Sequence, residues 1–189
     1  MNKARLRSFY KAKRKELSNQ QIEEWSLQIA NQSLQLPIWE KEFYHLFLPI
    51  EKQNEVNTEF LLHILQGKDK NVVISKSNFK DLSLEHILLT DATEIKLNAF
   101  GIPEPQKGIE IQPQQLDVVF IPLLVSDKEG NRIGYGKGFY DRFLSKCKAD
   151  VQKVGLSFFE PVDEIIEVST TDINLDYLVT PSEIFQFKA

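Results

Sequence analysis

The stretch Leu116–Leu144, LDVVFIPLLVSDKEGNRIGYGKGFYDRFL, decides the fold of this chain. It begins with an almost uninterrupted apolar run, which is typical of a strand buried on both faces of a parallel sheet. A polar turn follows at 126–131, then a loop with three alternating glycines, and then an apolar pattern typical of a helix. Because ligands of open α/β sheets bind beyond the carboxyl ends of the strands, the stretch predicts a binding loop as well as a fold.

The glycine loop, residues 134–138, has the composition of a phosphate site. Glycine has no Cβ and adopts positive φ freely, so successive N–H groups can converge on an anion. Arg132 and Lys137 add positive charge, and a helix that begins near Phe139 adds the positive end of its dipole. Asp141, in the first turn of that helix, is placed to hold a divalent cation against the same phosphates. The spacing alone leaves open that the loop is only a tight turn.

Three known glycine and aromatic motifs do not fit this loop. A Walker loop needs four residues between its glycines and a Ser or Thr where Phe139 stands. The dinucleotide fingerprint has the spacing G-x-G-x-x-G, which is absent here. The run that begins at Lys137 also mimics an RNA-recognition octamer, but Tyr140 stands where that octamer requires Gly or Ala.

The composition indicates one globular domain, 1–189. The chain is 42% hydrophobic and 26% charged, which is ordinary for a globular protein. Its net charge of -4 argues against broad nucleic-acid binding. A single cysteine, Cys147, excludes an internal disulfide framework and suits a reducing cytosol. With no apolar signal core and no 18-residue apolar run, we expect a cytoplasmic protein without a membrane partner.

Hydrophobic periodicity along the rest of the chain predicts strands that alternate with helices. Such alternation is typical of a mainly parallel sheet covered by helices. Strands are predicted at 43–48, 72–74, 85–89, 151–158 and 175–180. A first helix is predicted at 3–17, and a second helix begins after a capping box that Ser18 opens. Further helices are predicted at 60–65 and at 140–148, with a short helix or turn at 163–168.

The first predicted helix carries a basic face. Lys3, Arg7 and Arg14 fall within about 40° of one another on a helical wheel. Such a face is typical either of a solvated surface helix or of a partner for phosphate groups. By residue type alone, Glu55 is a solvent-exposed loop carboxylate and Phe100 a core anchor, and His45 is predicted to be a packed core histidine.

The run Arg132–Arg142 resembles the signature of the 5-formyltetrahydrofolate cyclo-ligase family, also called methenyltetrahydrofolate synthetases. The start at Lys3, Leu6 and Arg7 is similar to the family's Lys-x-x-Leu-Arg. The segment 48–58 is similar to its Leu-Pro loop, although it is about two residues longer and has Asn where the family has Asp. The run Phe100–Pro105 resembles its aromatic-x-Ile-Pro-x-Pro loop, and the resemblance extends to Asp176.

The resemblance implies a three-layer α/β/α sandwich with an open, mainly parallel, Rossmann-like central sheet. It implies ATP- and Mg²⁺-dependent cyclisation of 5-formyltetrahydrofolate, with ATP as cosubstrate and reduced folate as substrate, and we expect a monomer. Implied ATP-binding residues are Lys3, Ala4, Arg5, Leu6, Arg7, Arg132, Ile133, Gly134, Tyr135, Gly136, Lys137, Gly138, Phe139 and Tyr140. Implied catalytic residues are Arg132 and Lys137, substrate-binding residues Ile50, Glu55, Phe100 and Tyr140, and metal ligands Asp141 and Asp176.

Two other functions remain open at the level of sequence. One is a non-catalytic nucleotide or sugar-phosphate binding protein on the same scaffold, which would bind ATP without folate-dependent hydrolysis. The other is an RNA-binding module, which would bind oligonucleotides with a steep salt dependence. The acidic balance of the chain disfavours the second.

Overall fold

A computed structural model of the chain describes residues 2–165 and 167–187. None of the helices within these ranges is both long and apolar enough to cross a membrane. The α-helices are α1 (Lys3–Lys15), α2 (Asn19–Ser33), α3 (Glu59–Gly67) and α4 (Phe139–Leu144). The strands are β1 (Phe43–His45), β2 (Asn71–Asn78), β3 (Ser83–Leu88), β4 (Ile95–Leu97), β5 (Pro103–Pro105), β6 (Val118–Pro122), β7 (Val125–Ser126), β8 (Arg132–Ile133), β9 (Gln152–Leu156), β10 (Tyr177–Val179) and β11 (Ile184–Gln186).

The central sheet has seven strands in the order β11-β10-β9-β6-β1-β2-β3. Neighbours from β10 through β9, β6 and β1 to β2 are parallel. The two edge strands, β3 and β11, are antiparallel to their neighbours. Since parallel strands end at the same edge, the loops that follow β1, β6 and β9 converge there. The prediction of a mainly parallel sheet is confirmed.

Apolar clusters cover both faces of this sheet. On one face α1, α2 and α3 contribute Leu6, Ile29 and Leu61 to the larger cluster. On the other face α4 contributes Phe143 and Leu144 to a second cluster. Helices on both sides of a sheet make three layers, as predicted from the resemblance.

Local signals in the sequence account for several element boundaries. The Ser18 hydroxyl accepts from the Gln21 N–H, and the Gln21 side chain accepts from the Ser18 N–H, which confirms the capping box. Pro122 is the last residue of β6, where the missing N–H interrupts no interior ladder. The remaining boundaries agree to within two residues at most ends, but β1 and β6 end three residues early, α4 ends four residues early and β2 extends four residues further than predicted.

Three segments differ from the prediction or go beyond it. The stretch from 91 to 100, for which the sequence favours no element, contains β4, which pairs with β5. The tail after Pro181, in which the sequence suggests no functional residue, contributes the edge strand β11. The segment 163–168 is irregular where it is described, and residue 166 lies outside the described residues.

Asp127 organises the turn that leads into the glycine loop. Its fully buried carboxylate accepts from the N–H groups of Glu129, Asn131 and Ile165 and from the Asn131 side-chain amide, at 2.9–3.0 Å. One side chain therefore joins the turn before β8 to the segment after β9.

Replacing Asp127 by Ala should lower the free energy of unfolding by about 3 kcal/mol, because one buried and three half-buried N–H donors lose a charged acceptor. The measurement is denaturant unfolding followed by circular dichroism. The matched control is Asp163→Ala in the same region, which removes only an exposed contact with Lys128 and should leave stability nearly unchanged. Equal losses in the two variants would contradict the role of Asp127.

Candidate active site

A cleft of about 1100 Å³ lies at the carboxyl ends of the parallel strands. Its walls include α1, the glycine loop 134–138, the loop 47–55 that follows β1, and parts of the segments 75–84, 100–103 and 170–173. Clefts at this edge are the usual binding sites of open α/β sheets. The cleft therefore lies where the sequence predicted a ligand site.

The glycine loop adopts a conformation that only glycine accommodates easily. Gly136 has φ +90° and Gly138, which precedes α4, has φ +71°. A Cβ on Gly136 would lie 3.0 Å from the Arg7 guanidinium carbon, and one on Gly138 would lie 2.8 Å from Arg142 Nη1. Within the part of the chain that the structure describes, the N–H groups of 134–138 donate no hydrogen bond. These donors and the two guanidinium groups together suit an anion.

One face of α1 lines the cleft. Lys3, Arg7 and Lys11 lie on this face at intervals of four residues, and Arg7 Nε donates to the Gly134 carbonyl at 3.0 Å. The structure does not bring the rest of the predicted ATP segment here. Ala4 and Arg5 are exposed away from the cleft, and Leu6 packs into the core, because successive residues of a helix point in different directions.

A buried polar chain crosses from α1 to the loop after β1, and we call it the Arg14–Tyr135–Glu55 chain. Arg14 Nη2 donates to the Tyr135 hydroxyl, which donates to Glu55 Oε1 at 2.6 Å. The Ile50 N–H donates to Glu55 Oε2 at 2.7 Å. Glu55 is only 4% exposed, so the alternative of a solvent-exposed loop carboxylate is wrong. The predicted residues Ile50 and Glu55 both border the cleft.

The electrostatics of this chain keep its tyrosine protonated. Burial raises the pKa of Tyr135, and the nearby Glu55 carboxylate raises it further. Burial also raises the pKa of Glu55, while the Arg14 charge and the hydrogen bond from Tyr135 oppose that rise. Burial raises the pKa of Tyr140 as well, so both phenols remain O–H donors at neutral pH.

Aromatic rings gather at one end of the cleft. Phe100 is 61% exposed, so the alternative of a core anchor is wrong. Its ring centroid lies 4.5 Å from that of Phe79, and the Phe139 ring lies edge-on to Phe79 with the centroids 5.4 Å apart. Lys137 Nζ lies 4.7 Å from the Phe79 centroid and 5.7 Å from the Phe100 centroid. Exposed rings with a cation above them suit a flat, electron-rich ligand.

The two predicted metal ligands lie in different places. Asp141 borders the cleft, where it pairs with Arg132 at 2.7 Å and accepts from the Ile173 N–H. Asp176 precedes β10 at the amino ends of the strands, where it accepts from the Lys153 N–H and pairs with Lys153 Nζ at 2.9 Å. The structure does not bring Asp176 to the cleft. The acidic residue that lines the cleft beside Arg132 and Lys3 is Asp172.

His45, Ser75 and His86 form a second buried polar group at the cleft. His45 Nε2 and His86 Nδ1 lie 2.8 and 2.9 Å from Ser75 Oγ. Burial, together with His86, lowers the pKa of His45 to about 3. Burial and the Lys146 charge lower the pKa of His86 to about 4. Both rings are thus neutral at pH 7, and the prediction that His45 is a packed core histidine is confirmed.

Sequence reasoning missed three residues of this cleft. Phe79 lies in the turn between β2 and β3, and Ser75 lies in β2. Neither has a local pattern that separates it from ordinary strand and turn residues. Asp172 ends a Ser-Thr-Thr-Asp run typical of a turn, and that run was the one available signal for an ordered loop.

A model of the 5-formyltetrahydrofolate cyclo-ligase family matches residues 1–181. The chain belongs to this family. The cyclo-ligase of Escherichia coli K12 is 28% identical over 180 aligned positions, which cover 93% of this chain and 98% of the relative. A probable cyclo-ligase of Schizosaccharomyces pombe is 27% identical over 201 positions, which cover 98% of both chains.

Solved structures agree with this family assignment. The NMR structure of 5,10-methenyltetrahydrofolate synthetase from Aquifex aeolicus superposes with a TM-score of 0.81 at 26% identity. The match covers 100% of this chain and 94% of that one. The predictions of a cyclo-ligase family member, of its enzyme class and of its three-layer fold are confirmed. Individual site residues stay predictions.

The neutral histidines of this cyclo-ligase family member should make its stability fall as the pH is lowered. Their folded-state pKa values lie below the unfolded value of 6.5, so the unfolded chain takes up protons first. The contribution of each ring to the free energy of unfolding is constant above pH 6.5. Below pH 6.5 it falls by about 1.4 kcal/mol for each pH unit. The free energy of unfolding should therefore fall by about 4 kcal/mol between pH 7 and pH 5 on account of the two rings.

His86→Asn should reduce that fall by about 2 kcal/mol, as measured by denaturant unfolding at the two pH values. His63→Asn, which replaces an exposed ring, is the matched control and should leave the fall unchanged. A His86→Asn variant with the same pH dependence as the original chain would show that His86 is not neutral in the folded protein.

Proposed function

We propose that this cleft catalyses the ATP-dependent cyclisation of 5-formyltetrahydrofolate to 5,10-methenyltetrahydrofolate, with release of ADP and phosphate. The observation that carries the proposal is that the glycine loop, Glu55 and Asp141 line one cleft in a chain that matches the family over residues 1–181. These are the groups that the resemblance assigns to ATP, folate and metal, and they come from distant parts of the sequence.

The chemistry requires activation of a poor electrophile. The formyl oxygen on N5 attacks the γ-phosphorus of ATP, the bond to the β-γ bridging oxygen breaks, and ADP leaves. N10 then attacks the activated formyl carbon and loses its proton, and the carbon–oxygen bond breaks to release phosphate. Placement and charge stabilisation suffice for such steps, so no protein nucleophile is needed.

The basic side of the cleft would bind the triphosphate. The N–H groups of 134–138, which donate to no described residue, and the side chains of Arg7 and Lys3 supply donors and positive charge. Arg132 is held by Asp141 and by the Ile173 carbonyl, which supports a fixed orientation toward the transferring phosphoryl group. Lys137, which lies over the aromatic rings, would bridge the two substrates.

The aromatic side of the cleft would bind the reduced folate. The exposed ring of Phe100 and the half-buried ring of Phe79 suit stacking on the pterin or the aminobenzoyl ring. Glu55 accepts one hydrogen bond at each oxygen from the described protein groups, which leaves lone pairs for donors on the pterin. Ile50 and the protonated Tyr140 would complete this side.

The family also implies Mg²⁺, and the residues of the cleft fit such an ion. Asp141 and Asp172 would hold it, because both carboxylates border the cleft beside Arg132 and remain about a quarter exposed. The described residues contain no cluster of three or more metal-binding side chains, which agrees with an ion held by one or two carboxylates and by phosphates. Bound there, the ion would neutralise negative charge on the triphosphate.

Several predictions about partners stay predictions. The absence of nucleic-acid or membrane partners and a cytoplasmic location are expected from the charge balance, the single cysteine and the lack of a long apolar run, and a monomer is expected as well. Cys147 is half-buried and burial raises the pKa of its thiol to about 11, so it supplies no nucleophile.

The direct test is an absorbance assay for methenyltetrahydrofolate with and without ATP and Mg²⁺. Product should form only with both, with one ADP for each turnover. Arg132→Met should lower kcat about 100-fold and change the KM for folate much less, because the lost interaction acts on the transferring group. Nucleotide binding without product would instead support a non-catalytic binding protein.

Magnesium titrations separate the two predicted acidic ligands. Asp141→Asn and Asp172→Asn should each raise the Mg²⁺ concentration for half-maximal rate by about tenfold or more, because a carboxylate ligand is lost. Asp176→Asn is the matched control and should shift it by less than about twofold. A large shift in Asp176→Asn alone would contradict the metal site proposed at the cleft.

A further inference from the structure

The Arg14–Tyr135–Glu55 chain joins two loops that the proposed function assigns to different substrates. Tyr135 belongs to the glycine loop, whose main chain would bind the triphosphate. Glu55 belongs to the loop after β1, which would bind the folate. The hydroxyl of Tyr135 bonds to the Glu55 carboxylate at 2.6 Å, so a single hydrogen bond connects the two.

Arg14 makes this connection a charged one. Arg14 and Glu55 are each 4% exposed, and Arg14 Nε has no hydrogen-bond partner among the described residues. Burying a guanidinium with an unpaired N–H is costly, and the negative charge of Glu55 offsets that cost through the intervening phenol. Because the phenol stays protonated, it accepts from the cation and donates to the anion at the same time.

Helix α1 is hydrogen-bonded to both loops as well. Arg7 Nε donates to the Gly134 carbonyl, and the Asn54 side chain donates to the Arg14 carbonyl at 3.2 Å. Arg14 Nη1 donates to the Leu123 carbonyl at the end of the central strands. A movement of either loop must therefore break bonds to α1 or carry the Tyr135 hydroxyl with it.

We propose that Tyr135 and Arg14 are positioning residues that couple nucleotide binding to folate binding, an inference that rests on the proposed function. A nucleotide that binds the main chain at Gly134–Gly136 orders the Tyr135 side chain and, through it, the Glu55 carboxylate. The folate then binds a carboxylate that is already oriented, so each ligand tightens the other. Couplings of this kind change affinity by about 5- to 150-fold, and by the same factor in both directions.

The coupling factor can be measured without turnover. Isothermal titration gives the affinity for 5-formyltetrahydrofolate with and without the β,γ-imido analogue of ATP, in the presence of Mg²⁺. The reciprocal titration must give the same factor if the binding is reversible. We expect a factor of about 5 or more in the original chain.

Tyr135→Phe removes only the hydroxyl and keeps the main-chain N–H of the loop. We expect its coupling factor to fall to within about twofold of one, because the bond between the loops is gone. Arg14→Lys, which keeps the charge, should retain more of the coupling than Arg14→Met. Tyr10→Phe is the matched control on α1, because Tyr10 packs against Phe159 and is not part of the Arg14–Tyr135–Glu55 chain. This variant should keep the original coupling factor.

Two outcomes would overturn the coupling. One is a Tyr135→Phe variant with the original factor, and the other is an original chain whose two ligands bind independently. If the hydroxyl has only a structural role, Tyr135→Phe should lower the unfolding temperature and leave the coupling factor unchanged. That result is the first of the two outcomes. Failure of the proposed function is distinguishable, because then no methenyltetrahydrofolate forms with ATP and Mg²⁺.

Discussion

The position of α1 across the glycine loop is the constraint on which the cleft depends. The apolar side of the helix packs Leu6 and Tyr10 into the larger core cluster, which holds the helix against the sheet. Its polar side is then turned toward the glycine loop, where Arg7 donates to the Gly134 carbonyl, and the buried Arg14 donates to the Leu123 carbonyl. Packing on one side of a helix thus determines where the charges on the other side lie.

Charge is concentrated in the cleft of an otherwise acidic molecule. The chain carries a net charge of -4, yet basic side chains from α1, β8 and the glycine loop converge at the edge of the sheet. Inside a cleft with apolar walls such charges act more strongly than in water. The neighbouring histidines are kept neutral by burial, so the positive charge there belongs to lysine and arginine.

Prediction from sequence succeeded where the signal is local. The apolar run of β6, the Ser18 capping box and the glycine spacing each depend on residues close together in the chain. It failed for Glu55 and Phe100 when each was considered as a residue type, because burial depends on what other segments cover them. The sequence likewise contained no sign that Asp176, the predicted metal ligand, lies outside the cleft and that Asp172 lines it. Both precede one strand, and only the path of the loop decides which carboxylate lies in the cleft.

The sequence by itself determined the alternation of strands and helices, the family to which the chain belongs and the conformation of the glycine loop, because periodicity and the missing Cβ act within a few residues. The tertiary structure alone decided which residues share the cleft and which charges are paired. The Arg14–Tyr135–Glu55 chain joins residues 14, 55 and 135, and no local pattern predicts it. Such contacts form only when the sheet brings the carboxyl ends of distant strands to a common edge.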